Sequence, residues 1–230
     1  VNMLEENNNI DDLIEKVESL REYEKYEEAI NILLKNRKLN PSDYRIWYYL
    51  GASYLDNNQY KEAIESLLTA TKLEPNEYGI WHNLGLAYTE NKQYKEAIES
   101  LSMAAKLERN DEEIWLDLGR VYYTVNIYEE SKASFLKAKY LNPNDYRIWH
   151  CLGQVYTKLG KYREAIEYFS KYIKLNDDDS KTWFNLGFLY YKIGQYKEAQ
   201  ASYLKAKELN LDNKNINEML EKIENLLKNK

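Results

Sequence analysis

Apolar residues return along this chain at helical spacing, and the whole pattern returns every 34 residues. Between Tyr44 and Pro75, Trp47, Leu50, Gly51 and Tyr54 share one helical face, and Ala63, Ile64, Leu67, Leu68 and Ala70 share another. Positions i, i+3, i+4 and i+7 lie on one side of an α-helix, so the stretch predicts two amphipathic helices, A and B. Trp47, Trp81, Trp115, Trp149 and Trp183 mark helix A without slippage, each followed by a Leu-Gly pair and then by Tyr54, Tyr88, Tyr122, Tyr156 or Tyr190. Tyr26, Tyr60, Tyr94, Tyr128, Tyr162 and Tyr196 mark the start of helix B. A fixed period of this size predicts stacked units that bury their apolar faces against their neighbours.

The phase divides the chain into a degenerate first unit, 10–43, which lacks the Trp and the Leu-Gly, and full units at 44–77, 78–111, 112–145, 146–179 and 180–213. Residues 1–9 are polar and acidic and read as a disordered tail. Residues 214–230 continue as one more amphipathic helix, with Ile216, Met219, Leu220, Ile223, Leu226 and Leu227 on the face that would close the stack. Between A and B, Asn58, Asn126, Gly160 and Gly194 share a position suited to the left-handed conformation that ends a helix. Between units, Ser42, Asn76, Asn110, Asn144, Asp178 and Asp212 share a position predicted to N-cap the next helix. A glycine inside a helix costs about 1 kcal/mol relative to alanine. Gly51, Gly85, Gly119, Gly153 and Gly187 therefore predict a close approach by a neighbouring helix, one that a side chain would block. Pro41, Pro75 and Pro143 are expected to stop helix B, with Arg109, Asp177 and Leu211 standing in elsewhere.

The motif W-x2-L-G-x2-Y, with a small residue, an aromatic or leucine and a proline further on, resembles the tetratricopeptide repeat over residues 10–213. The resemblance implies an all-α, right-handed superhelical solenoid of helix-turn-helix repeats, treated as one domain, with a C-terminal capping helix. It also implies a non-enzymatic scaffold or adaptor that binds an extended peptide or helix of a partner protein in a concave groove. The family's groove positions fall on the side of helix A that does not face helix B. In the N-terminal half these are Tyr48, Tyr49, His82, Asn83 and Leu86, with Ile14, Glu18 and Ala52. Further along they are Leu116, Arg120, Tyr123, Arg147, His150 and Gln154, with Asp117. The last unit adds Lys181, Phe184, Asn185, Phe188 and Tyr191. Exposed aromatics in a groove commonly mark contacts, so Tyr48, Phe184, Phe188 and Tyr191 are the expected anchors. The family's carboxylate clamp of lysine, asparagine and arginine is not reproduced: its positions hold Tyr48, Ala52, Asn83, Glu113 and Asp117 in one register, and Leu116, Arg120, Cys151, Lys181 and Asn185 in another.

Charge refines this reading. The chain has a net charge of −6 with lysine and glutamate interspersed, which argues against nucleic acid as a partner. Within the groove, Asp11, Glu15, Glu18 and Glu22 make the N-terminal end acidic, whereas Arg120, Arg147, Lys158, Lys181 and Lys192 make the C-terminal half basic. A protein or peptide partner with an acidic segment or C-terminus is expected to orient that end toward Arg147 and Lys181. A lone cysteine, Cys151, forms no internal disulfide, no apolar run reaches membrane length, and the expected location is cytoplasmic. His82 and His150 lie two repeats apart, too far to share a metal, and neither a phosphate loop nor a zinc motif is present, so no catalytic residue, cofactor or metal is expected. Homo-oligomerisation through the array ends, and a regulatory region of a larger enzyme, are the competing readings. The latter agrees with a chain that begins at Val1, as an excised piece would.

Overall fold

The computed structural model describes residues 10–209 and 214–228, and among these every regular element is an α-helix. The expected tail at 1–9 and the expected cap at Asp212 lie outside the described residues. The degenerate first repeat is α1 (Ile10–Glu22) and α2 (Tyr26–Asn36). Full repeats follow as α3 (Tyr44–Asp56) with α4 (Tyr60–Leu73), α5 (Tyr78–Glu90) with α6 (Tyr94–Leu107), and α7 (Glu112–Thr124) with α8 (Tyr128–Leu141). The last two are α9 (Tyr146–Lys158) with α10 (Tyr162–Ile173), and α11 (Ser180–Lys192) with α12 (Tyr196–Glu208). α13 (Lys214–Lys228) is the last of the described elements. Odd-numbered helices up to α11 are thus A helices and even-numbered ones B helices.

Packing resolves the chain into two compact units, residues 1–121 and 122–230, with the boundary inside α7. A stack in which each repeat touches only its neighbours has no central core to forbid such a division.

In each unit the core is made between repeats. In the first, Ala29, Ile30 and Leu33 of α2 pack with Val17 of α1 and with Ile46 and Leu50 of α3. Ala63, Leu67 and Ala70 of α4 likewise pack with Ile80, Leu84 and Ala87 of α5. In the second, Ala165 and Phe169 of α10 meet Leu186 and Leu189 of α11. Ala199, Tyr203 and Ala206 of α12 meet Ile216, Leu220 and Ile223 of α13, which thereby covers the last repeat as its amphipathic pattern predicts. Within a repeat the helices approach closely at the glycine. A Cβ on Gly51 would lie 2.5 Å from Leu67 Cγ, and one on Gly153 would lie 2.7 Å from two ring carbons of Phe169. The glycine cost is offset by this contact, since both partners are fully buried.

The left-handed turn residues are where the sequence places them, at Asn58 (φ 59°), Asn126 (φ 64°), Gly160 (φ 71°) and Gly194 (φ 79°). The same conformation is imposed on Glu24 and Lys92, residues with no preference for it, because they occupy the equivalent register. The predicted N-caps require correction by one residue. Asp43, Glu77, Asp111, Asp145 and Asp179, not Ser42, Asn76, Asn110, Asn144 and Asp178, accept hydrogen bonds from the backbone N–H two positions on. A cap must reach the amide at N2, and the helices begin immediately after these acids. The proline position has a role besides stopping helix B. The indole N–H of Trp47, Trp81, Trp115 and Trp183 donates to the backbone carbonyls of Pro41, Pro75, Arg109 and Asp177, at 2.8–3.0 Å. Any residue supplies that carbonyl, which is why Arg109 and Asp177 are accommodated.

Candidate functional site

In the first unit α1 packs on α3 and α3 on α5, so the A helices form one layer. Polar side chains link this layer between positions about one period apart. Arg45 Nη1 donates to Asp11 Oδ1 at 2.6 Å, and Arg21 Nε donates to Asp56 Oδ2 at 2.7 Å. The Tyr49 hydroxyl donates to Glu18, and Tyr48 hydrogen-bonds the Asn83 side chain. His82 Nε2 lies 2.9 Å from Asp117 Oδ2, while Asp117 Oδ1 accepts from Arg120 at 3.2 Å. Burial raises the hydroxyl pKa of Tyr48, and burial followed by the Glu18 contact raises that of Tyr49, so both phenols are neutral.

Two clefts open on this region. One of about 230 Å³ is lined by Ile14, Tyr44, Arg45, Tyr48, Tyr49 and Glu77. The other, about 530 Å³, is lined by Glu18, Arg21, Glu22, Tyr26 and Asp56. The Arg45 guanidinium in the first is held by Asp43 as well as Asp11, and that arginine in turn holds the Asp43 carboxyl below its ordinary pKa.

In the second unit the expected anchors are largely committed to internal packing. Phe184 meets Tyr203 edge to face at 5.4 Å between ring centres, and Phe188 meets Tyr162 at 6.4 Å. Tyr191 lies 5.8 Å from Tyr196 and under the Lys222 ammonium, so it joins α11 to α12 and α13. Tyr123 packs on Tyr128. His150, expected in the groove, is half-buried and packed against Phe169 and Tyr172, and burial pushes its pKa down. Arg147 is bound by its own cap, with Nη2 donating to Asp145 Oδ2 at 2.6 Å, so it presents a neutralised pair where a bare cation was expected. Leu116 must be removed from the groove altogether: it is 0% exposed, because its side chain turns into the core. Ala52 is buried for the same reason. Lys181 is exposed, and Asn83, Leu86, Gln154 and Asn185 are half-buried.

Charge separates the layers. The A helices of the first unit, counting α7 to residue 121, carry ten acidic and four basic residues, a net −6. The B helices α2, α4 and α6 carry six and five, a net −1. In the second unit α9 and α11 carry four basic residues and no acid, whereas α8, α10, α12 and α13 together carry eleven basic and nine acidic, a net +2. Cys151 is buried. Among the described residues no group of three or more His, Cys, Asp or Glu is placed to hold a metal ion, and no helix is long and apolar enough to cross a membrane.

Helix pairs that recur every 34 residues, glycine-mediated A–B contacts and cores made between repeats define an all-α tandem-repeat protein. The chain belongs to the tetratricopeptide repeat family. Family profiles described as tetratricopeptide repeat match residues 146–179, 180–213 and 112–145, and one described as TPR repeat matches 51–92 and 85–126. Residues 2–70 also match the profile for anaphase-promoting complex, cyclosome, subunit 3. No curated protein matches the chain in sequence. Among solved structures, MamA is similar at 24% identity and a TM-score of 0.66, over 72% of this chain and 96% of that one. YrrB, described as a TPR protein with an unusual peptide-binding site, is 19% identical with a TM-score of 0.72, over 78% and 93%. The anaphase-promoting complex hetero-tetramer Cut9–Hcn1 is 18% identical with a TM-score of 0.68, over 92% of this chain and 42% of that one. At these identities the likeness is one of fold.

Proposed function

We propose that this chain is a non-enzymatic protein-interaction scaffold that holds an extended peptide or a helix of a partner protein against its A helices. The observation that carries this reading is the placement of charge. Framework packing has no use for net charge, yet the A helices hold −6 in one unit and +4 in the other while the B helices stay near neutral. A fold built from stacked, rigid helix pairs presents such a surface preorganised, which lowers the ordering cost of binding. In the second unit the reading is of an acidic segment or C-terminus drawn to Lys181, with Gln154 and Asn185 as hydrogen-bonding neighbours along α9 and α11. Phe184, Phe188 and Tyr191 offer ring edges in addition to their internal contacts. Of Arg147 and Lys181, the lysine is the cation offered to the partner, because Asp145 already occupies the arginine.

The test is site-specific photo-crosslinking in the source cell. A photoreactive amino acid replaces Lys181 on α11 or, as the comparison, exposed Lys197 on α12. Crosslinked partner expected from position 181 and absent from 197 supports the A-layer reading. Crosslinking from 197 alone transfers the interaction to the B layer and refutes it.

A further inference from the structure

We infer that the A layer of the first unit receives a basic segment, one that carries lysine or arginine beside an aliphatic residue, so that the scaffold reads a cationic stretch of its partner and not only an acidic one. This rests on the A layer being the binding surface. Three features of the two neighbouring clefts support it. The smaller cleft has three tyrosines, Tyr44, Tyr48 and Tyr49, with Ile14 and Glu77. Tyrosine faces attract ammonium and guanidinium groups through their quadrupole, while Ile14 offers an apolar contact for an aliphatic neighbour. The cations already present there and in the neighbouring cleft are satisfied: Arg45 is held by Asp43 and Asp11, and Arg21 by Asp56. Glu18 is exposed and accepts a single hydroxyl proton from Tyr49, which leaves most of its lone pairs for an incoming donor. Glu22 is exposed on the same helix and lines the neighbouring cleft.

Electrostatic complementarity decides the sign of the occupant. The net −6 of this layer, against −1 on the B helices of the same unit, concentrates the attraction for a cation on the clefted side. An acidic segment would meet Glu18, Glu22 and Glu77 with no uncommitted arginine among the cleft residues.

The experiment measures fluorescence anisotropy of the full chain with two labelled probes, a peptide of alternating lysine and leucine and one of alternating glutamate and leucine. Two variants have equal changes in net charge. Glu18→Gln, Glu22→Gln, Glu77→Gln alters the two clefts while keeping acceptors for Tyr49 and for the α5 cap, and Glu62→Gln, Glu65→Gln, Glu99→Gln alters the B layer. The expected result is that the cleft variant binds the lysine peptide about tenfold more weakly. The B-layer variant should change the affinity by less than about twofold. Equal weakening by both variants would reduce the effect to net charge and overturn the inference. A glutamate peptide bound in preference, and lost on Lys181→Glu, would overturn the basic-segment assignment while leaving the A-layer reading standing. Indifference of both peptides to every A-layer substitution would overturn the two together. A fall in lysine-peptide binding as protein concentration rises, with mass rising in parallel in light scattering, would identify the occupant as a second copy and also overturn the assignment.

Discussion

Replacing Gly153 by alanine tests the packing rule shared by Gly51, Gly85, Gly153 and Gly187. Helix propensity alone favours the change by about 1 kcal/mol, since glycine is the poorer helix former. Space opposes it. The new methyl carbon would sit 2.7 Å from Cδ1 and Cε1 of Phe169 and 2.8 Å from Cγ. These are carbons of a rigid ring that is 1% exposed and further held by His150 at 5.6 Å, so no flexible tip is available to move aside. Overpacking of this kind costs about 1–3 kcal/mol, and three simultaneous ring contacts put it at the upper end. The net expectation is a destabilisation of about 1–2 kcal/mol, or about 2–8 °C in melting temperature for a chain of this size. Urea unfolding followed by circular dichroism measures it, with Phe169→Ala and the double variant completing a cycle. Phe169→Ala by itself should cost about 3–5 kcal/mol. In the Gly153→Ala background it should cost at least about 1 kcal/mol less, because the added methyl enters the space the ring vacates. A Gly153→Ala variant more stable than the wild type by the propensity difference, with additive energies in the cycle, would refute the close-approach argument.

Three further outcomes follow from individual contacts. Trp81→Phe removes the indole donor to the Pro75 carbonyl and should destabilise by about 1 kcal/mol. Pro75→Ala keeps that carbonyl and should stay within about 0.5 kcal/mol of wild type in the same urea assay. Asp43 has its carboxyl pKa lowered chiefly by Arg45, so its contribution is present above the ordinary carboxylate range near pH 4 and is lost as pH falls through the lower folded value. Urea midpoints taken from pH 5 to pH 2 should fall less steeply in Asp43→Asn than in wild type. His150 has its pKa lowered by burial, so the unfolded chain takes up its proton first. Its effect is therefore a loss of stability as pH drops below about 6.5, levelling off below the folded value. His150→Phe should abolish that part of the difference between pH 7 and pH 5, and an unchanged difference would place the titration elsewhere.

The relation between sequence and structure is clearest where the two diverge by a small step. Asn76 was the chemically attractive cap and Glu77 is the actual one, because the offset to the N2 amide outranks side-chain preference. Lys92 takes the left-handed turn without any residue signal, since the 34-residue register forces it to match Asn58 and Gly160. For the groove, the family positions fall on the A helices and do not tell which of their side chains remain available. Leu116 and His150 turn inward, and Phe184 and Tyr191 are shared with their neighbours. A further signal for contacts lies in the period itself. Asp11 with Arg45, Arg21 with Asp56, and His82 with Asp117 are separated by 34 or 35 residues, so complementary side chains one period apart on helix A predict a contact.

The amino-acid sequence determined by itself the number of helices, their order, their repeat length and the turns between them. Each of these follows from local spacing and from neighbours that are copies of one another, so short-range physics multiplied by a period is sufficient. Tertiary structure decided which aromatics are consumed in packing, which cations are neutralised, and where clefts open among the A helices. Those outcomes depend on rotamers and on the meeting of side chains about one repeat distant, where a single volume or charge at one partner redirects the other.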